Sequence, residues 1–257
     1  MNETIKNSLS KVPEVTLGFW VLKIIATTLG EVGGNAVSQT LELGYLVGSI
    51  IFGVPLVAAV IAQIQAKSFN PSLYWGTIAL TTLAGTTLAD FFDRSLGIGY
   101  LGGSLTLFTL VIATLAVWKK SLGSINIKSV NTAKAEAYYW TTIMFSQTLG
   151  TALGDWMADN TGLGYNGSAF LIATVLAAIA GLYYFTNVSH VKLFWAAFIL
   201  TRPLGATVAN SLDKPIAHGG LGISDLTATA ALTTLMIMCL ISIPQRAAKN
   251  YAATDSE

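Results

Sequence analysis

A tryptophan, a glycine ten residues on, an aspartate or asparagine at plus fifteen and a glycine at plus twenty-four recur four times along the chain. The copies are Trp20, Gly30, Asn35 and Gly44; Trp75, Gly85, Asp90 and Gly99; Trp140, Gly150, Asp155 and Gly164; and Trp195, Gly205, Asn210 and Gly219. Such a repeat makes each copy one supersecondary unit that cannot bury its apolar face alone and must stack on its neighbours. The recurring acids and amides fall inside strongly apolar segments, where a polar side chain is costly and belongs as a rule to a pathway or a pair.

Apolar residues make up 53% of the chain and charged residues 11%, with a mean hydropathy of +0.62, against roughly 25% charged in a soluble domain. That is the composition of a polytopic membrane protein. The net charge is +1 and the Lys and Arg residues are dispersed, which leaves no basic surface for nucleic acid. Cys239 is the single cysteine, so no disulfide framework or CxxC metal site is expected. The first fourteen residues are polar and carry acids, and no small-residue cleavage site ends the apolar stretch after them. No signal peptide is expected, and that stretch stays as a membrane helix.

About 20 apolar residues cross the hydrocarbon core. Segments 48–64, 101–118, 168–185 and 227–243 are clean, whereas 19–36, 74–92, 139–158 and 194–212 start near the repeated Trp and carry polar positions. The expectation is an all-α polytopic membrane protein of eight transmembrane helices, built from four tandem parallel two-helix repeats at 17–66, 72–118, 137–186 and 192–243. The whole chain, 1–257, forms a single transmembrane domain. A half-inserted first helix in each repeat is the rival reading. Lys6, Lys11, Lys67, Lys119, Lys120, Lys128, Lys134, Lys192, Arg246 and Lys249 fall on one side, and only Arg94 and Lys214 on the other. By the positive-inside rule both termini are cytoplasmic. Trp spacings of 55, 65 and 55 divide the chain into two halves joined by a cytoplasmic linker, 119–137. The repeated Trp is expected at the cytoplasmic membrane interface, its N–H toward water.

Helical geometry sorts the rest of the motif. Positions plus seven, eleven and fifteen share a face, which carries Thr27, Glu31 and Asn35; Thr82, Thr86 and Asp90; Gln147, Thr151 and Asp155; and Arg202, Ala206 and Asn210. Near the outer end Asp93, Asp159 and Asp213, with Ser38 in the first copy, are expected to form an acidic mouth. Beside this stripe, plus ten and plus fourteen are small: Gly30 and Gly34, Gly85 and Ala89, Gly150 and Gly154, Gly205 and Ala209. Small residues let helices approach closely in lipid. The odd helices should therefore pack centrally, with the even helices as a lipid-facing periphery.

The stripe reads as a pathway. Glu31, Asp90 and Asp155 stand against Arg202, with Lys23 expected to snorkel to the cytoplasmic end, so the net charge is negative and favours a cation. Carboxylates, amides and Thr hydroxyls are hard oxygen ligands suited to Mg²⁺, Mn²⁺ or Ca²⁺, with Asp90, Asp155 and Glu31 as candidate metal ligands and Asn35 and Asn210 supporting them. Membrane carboxylates also exchange protons, so proton coupling is open. The competing structural reading makes Arg202 a partner of Glu31 or an Asp, and the Asn residues interhelical glue. His190 and His218 are expected to be exposed.

The four copies, each with two membrane helices and one Trp, resemble the bacterial membrane-protein family defined by a four-copy repeat of unknown function. The resemblance runs from about Phe19 to Ile243. It implies a multi-pass protein of the bacterial inner membrane and no substrate or catalytic residue. Copies one and four have Asn35 and Asn210 where two and three have Asp90 and Asp155, which argues against a fully fourfold site.

The resulting expectation is a transporter of small cations, divalent by preference, with a passive cation channel and a non-transporting sensor or assembly partner as alternatives. No cofactor is expected beyond a bound divalent cation. The partners are the lipid bilayer, the cation and protons, with a homo-oligomer open. No enzymatic activity is expected, because HExxH, GxSxG and Walker sequences are missing. A protease dyad of Asp90 and Asp155 is the remaining enzymatic reading.

Overall fold

A computed structural model describes residues 9–249, the side chains of Leu9 and His218 aside. Readings that rest on Lys6, on the stretch before residue 9 and on the His218 side chain lie outside it. Among the described residues there are eight α-helices: α1 (Leu17–Asn35), α2 (Tyr45–Gln65), α3 (Pro71–Asp90), α4 (Tyr100–Leu122), α5 (Ala133–Asn160), α6 (Gly164–Phe185), α7 (His190–Asp213) and α8 (Asp225–Ser242). Helix α1 continues into a π-helical turn at Ala36–Thr40, and α3 into one at Phe91–Ser95.

Local chemistry explains the boundaries. Thr16, Asn70, Thr132 and Ser224 cap the starts of α1, α3, α5 and α8 by accepting from backbone N–H groups, which satisfies donors that have no intrahelical partner. Pro71 opens α3, where its missing N–H costs nothing. The repeated glycine at plus twenty-four has a structural cause. Gly44, Gly99, Gly164 and Gly219 have φ of 78°, 76°, 64° and 83°, a backbone region that glycine enters without penalty. There the chain turns from the first helix of each repeat toward the second.

The odd helices close a ring: α1 packs on α3, α3 on α5, α5 on α7 and α7 back on α1. Each even helix packs mainly on the odd helix of the following repeat, α2 on α3, α4 on α5 and α6 on α7, and α8 completes the cycle on α1. Burial follows this order. In the apolar windows of α1 and α7, 72% and 56% of residues are buried, against 17%, 22%, 11% and 11% in α2, α4, α6 and α8.

Among the described residues six helices are long and apolar enough to cross a membrane: α1 with its π turn, α2, α4, α6, α7 and α8. Helices α3 and α5 have the length, 20 and 28 residues, but spend their inner faces on Thr77, Thr81, Thr82, Thr86 and Asp90 and on Ser146, Gln147, Thr151 and Asp155, all buried.

The all-α expectation misses one element. Leu9–Pro13 (β1) pairs antiparallel with Ala247–Lys249 (β2), so a two-stranded ribbon ties the two ends of the described chain. The ribbon also pins the central linker. The Ser10 hydroxyl donates to the Ile127 carbonyl at 2.6 Å, and the Lys11 N–H to that of Val130 at 2.9 Å. Ile127 and Val130 are buried, so this short stretch of the linker is folded against the rest of the protein.

Two of the repeated Trp N–H groups are not turned to water as expected. Trp75, Trp140 and Trp195 are buried, and two of their N–H groups donate to protein: Trp75 to the Gln245 side chain and Trp195 to the Ile125 carbonyl, each at 3.0 Å. The aromatic residue before each Trp packs on the Trp of the next repeat. Phe19 meets Trp75 at 5.5 Å, Tyr74 meets Trp140 at 5.7 Å, Tyr139 meets Trp195 at 6.2 Å and Phe194 meets Trp20 at 5.9 Å. Eight rings thus form a closed floor under the bundle, where mutual packing replaces contact with water.

Candidate functional site: charged layers along the central bundle

The small-residue stripe positions the polar one. A side chain grown on Gly30, Gly85, Gly150 or Gly205 would run into Thr82, Gln147, Arg202 or Thr27 respectively. Each plus-ten glycine is therefore the seat of the plus-seven side chain of the next repeat, and the fourth seat receives the first repeat. One turn on, Gly34 faces Thr86 and Gly154 faces Ala206 in the same sense. Close approach lets hydroxyls bond across helices. Thr82 donates to the Ala26 carbonyl at 3.0 Å, Thr86 to Gly30 at 2.9 Å and Thr27 to Thr201 at 3.3 Å.

At the plus-eleven level the four helices meet on Arg202. Its Nη2 lies 3.0 Å from Glu31 Oε2, 2.6 Å from Thr86 Oγ1 and 2.5 Å from Thr151 Oγ1, and Nη1 donates to the Thr27 carbonyl at 3.4 Å. Thr151 in turn donates to Glu31 Oε2 at 3.3 Å. The arginine rises from plus seven of its own helix, where plus eleven is Ala206, and that small side chain leaves it room. Arg202 and Glu31 are 0% and 2% exposed. A buried pair of this kind holds only with further hydrogen bonds to the spare donors and lone pairs, and the two threonines supply them. Of the partners expected for Arg202, the one found is Glu31.

The plus-fifteen level is organised by a residue outside the repeated stripe. Arg94, on the π turn after α3, places Nε 2.8 Å from Asp90 Oδ1 and Nη2 3.2 Å from Asp155 Oδ2. Asn210 donates to Asp155 Oδ1 at 3.2 Å, and Asn35 accepts from Gln39 at 2.8 Å. The two carboxylates are buried, whereas the Arg94 side chain is 37% exposed and lies near the Tyr45 and Tyr100 rings. Asp90 and Arg94 are four residues apart, the spacing of an ion pair on one helical face. That signal was present in the sequence, but it required the helix to run past Phe92.

Two further expectations need correction. Lys23 does not snorkel: it is fully buried, and its Nζ sits 4.2 Å from the centre of the Phe198 ring with no hydrogen-bond partner. Phe19, Trp75 and Trp195, in the floor below, are buried against one another, and Phe198 packs on Trp195. Acids and bases along the core are accordingly equal in number, Glu31, Asp90 and Asp155 against Arg202, Arg94 and Lys23, although the acids pair with the two arginines and Lys23 has no hydrogen-bond partner among the described residues.

The three candidate metal ligands do not gather. Glu31 belongs to Arg202 and the two aspartates share Arg94. Among the described residues no group of three or more His, Cys, Asp or Glu is disposed to hold a metal ion. The outer acids are also dispersed in role. Asp93 is buried against Gly103, Asp159 accepts from the Tyr165 hydroxyl at 3.2 Å, and Asp213 pairs with Lys214 at 3.8 Å. His190 is exposed against the Tyr183 ring at 4.3 Å.

Comparison with known proteins adds the family and no chemistry. Neither a curated protein nor a solved structure matches the chain. The family model described as Repeat of Unknown Function (DUF347) matches four times, at residues 18–69, 73–123, 138–189 and 193–243. These matches cover most of the chain, each taking in one odd helix and the even helix after it, and the protein belongs to this four-repeat family.

Proposed function

We propose that the protein is a membrane transporter of small cations, with the Asp90–Asp155 carboxylate pair as its seat and Arg94 as a tethered stand-in for the substrate. The observation that carries this reading is the convergence of two buried carboxylates, from adjacent helices α3 and α5, on one partly exposed guanidinium. A cation entering from the side of the π turns would displace Arg94 and inherit the same oxygens, with Asn210 as a neutral neighbour. Hard oxygen donors suit Mg²⁺ or Mn²⁺, and protons compete for the same carboxylates.

In this reading all eight helices cross the membrane, with the polar faces of α3 and α5 turned inward, and both termini lie in the cytoplasm of a bacterial inner membrane. The closed aromatic floor favours alternating access over an open pore. Catalysis forms no part of the proposal.

The test is flux of Mn²⁺, Mg²⁺, Ca²⁺, Na⁺ and K⁺ into proteoliposomes, with and without a pH gradient, for wild type and D90N/D155N. Uptake of one ion that disappears in the double variant is the expected result. No uptake of any ion by folded wild-type protein overturns the proposal.

A further inference from the structure

The layer below the Arg202 network holds a buried lysine amine that has no hydrogen-bond partner among the described residues. Lys23, Ile78, Ile143 and Phe198 occupy plus three in the four repeats, and each is 0% exposed. Only Lys23 is polar. Its ammonium has the Phe198 ring on one side and no hydrogen-bond acceptor. Arg202, one turn above on the helix that carries Phe198, directs its Nη atoms to Glu31, Thr86, Thr151 and Thr27, while its Nε has no partner. At the same level both amide atoms of buried Gln147 are also unpartnered.

With Lys23 protonated, the local count is two cations, Lys23 and Arg202, against Glu31 alone. Unpartnered buried donors in a native structure mark an unfilled role, such as a bound ion or water, and a buried ammonium is retained only with a compensating charge. A carboxylate from the outer layer does not supply it, because Asp90 and Asp155 are held by Arg94.

We infer that the cytoplasmic half of the central bundle is a binding site for one small monovalent anion, held between the Lys23 ammonium and the unused N–H of Arg202. One negative charge balances the layer. The Phe198 ring and the aromatic floor border the site, so the probes chosen are small, a halide and formate. The site is separate from the Asp90–Asp155 seat and does not depend on cation transport.

The experiment uses the full-length protein in non-ionic detergent with gluconate as the bulk anion and a fixed cation. Chloride and, separately, sodium formate are titrated while thermal unfolding is followed by tryptophan fluorescence. The unfolding midpoint of wild type should rise and saturate with a one-site dependence. That of K23M should stay flat, starting at or above the wild-type value in gluconate. A response to chloride alone assigns a halide site, to formate alone a carboxylate site, and to both an unselective monoanion site. No saturable response in wild type, or the same response in K23M, overturns the inference. Bromide-soaked crystals of wild type give a reading independent of the variant: anomalous density beside Lys23 supports the site, and its absence at saturating bromide refutes it. Loss of cation flux in proteoliposomes would leave these results untouched.

Discussion

Arg202 in the last repeat and Glu31 in the first form a 3.0 Å ion pair with side chains 0% and 2% exposed. Removing one member strands the other's charge, which costs about 3–5 kcal/mol. R202M and E31Q should each lower stability on that scale, and R202M/E31Q should lose clearly less than their sum. Unfolding in detergent across the double-mutant cycle measures the coupling, and additive losses would dissolve the pair.

The glycine seats make a steric prediction. G150A drives a methyl into the Arg202 side chain, whereas a methyl at Gly181 in α6 meets nothing within 4 Å. Overpacking costs about 1–3 kcal/mol, and Gly to Ala in an open helical position gains roughly 0.5–1 kcal/mol. The two variants should shift the unfolding midpoint in opposite directions.

Lys11 anchors the face of the bundle that carries both ends of the described chain. Its Nζ lies 2.5 Å from Glu136 Oε1 and donates to the carbonyls of Gln63, Ile64 and Ala66 at 3.0, 3.1 and 2.8 Å. Burial pushes the Glu136 carboxyl above its ordinary range, and Lys11 pulls it partly back. Without that cation the folded-state pKa of Glu136 climbs further above the unfolded value, and ionising the buried acid at higher pH then opposes folding. K11M should therefore cost more stability at pH 8 than at pH 5, where Glu136 is closer to neutral. Equal losses at both values would count against the pairing.

Tyr74 and Tyr139, both 0% exposed, share a hydroxyl–hydroxyl hydrogen bond of 2.5 Å. Y74F leaves an orphaned buried hydroxyl, at a cost of about 1–3 kcal/mol, whereas losing both hydroxyls is closer to neutral. Y74F/Y139F should accordingly be more stable than either single variant in the same unfolding assay.

If Arg94 occupies the seat of a transported cation, R94Q removes a tethered competitor. The variant should bind the transported ion at least severalfold more tightly, as read by calorimetry. Weaker or unchanged affinity would make Arg94 a purely structural clamp.

The part of this arrangement legible in the sequence is the part that repeats. The plus-seven, plus-eleven and plus-fifteen stripe and the small residues beside it are periodic, and helical geometry alone places them on adjoining faces. What escaped it occurs once. Arg94 is reached only because α3 continues as a π turn beyond Asp90, and no composition rule marks that continuation. Lys23 stands four residues before Thr27, on the stripe itself, yet snorkelling was the wrong inference because rings from other repeats close the route below it. The ribbon of Leu9–Pro13 with Ala247–Lys249 pairs segments at opposite ends of the described chain, a contact that no local pattern announces.

The packing of α8 on α1 repeats that of α2 on α3, α4 on α5 and α6 on α7, so the bundle has no seam of its own. The peptide connection between repeats is then a matter of convenience and not of architecture. A circular permutant with Leu9–Pro13 and Ala247–Lys249 joined and new ends opened at Gly123, where α4 is capped, should assemble the same bundle. So should two half-chains divided there and expressed together.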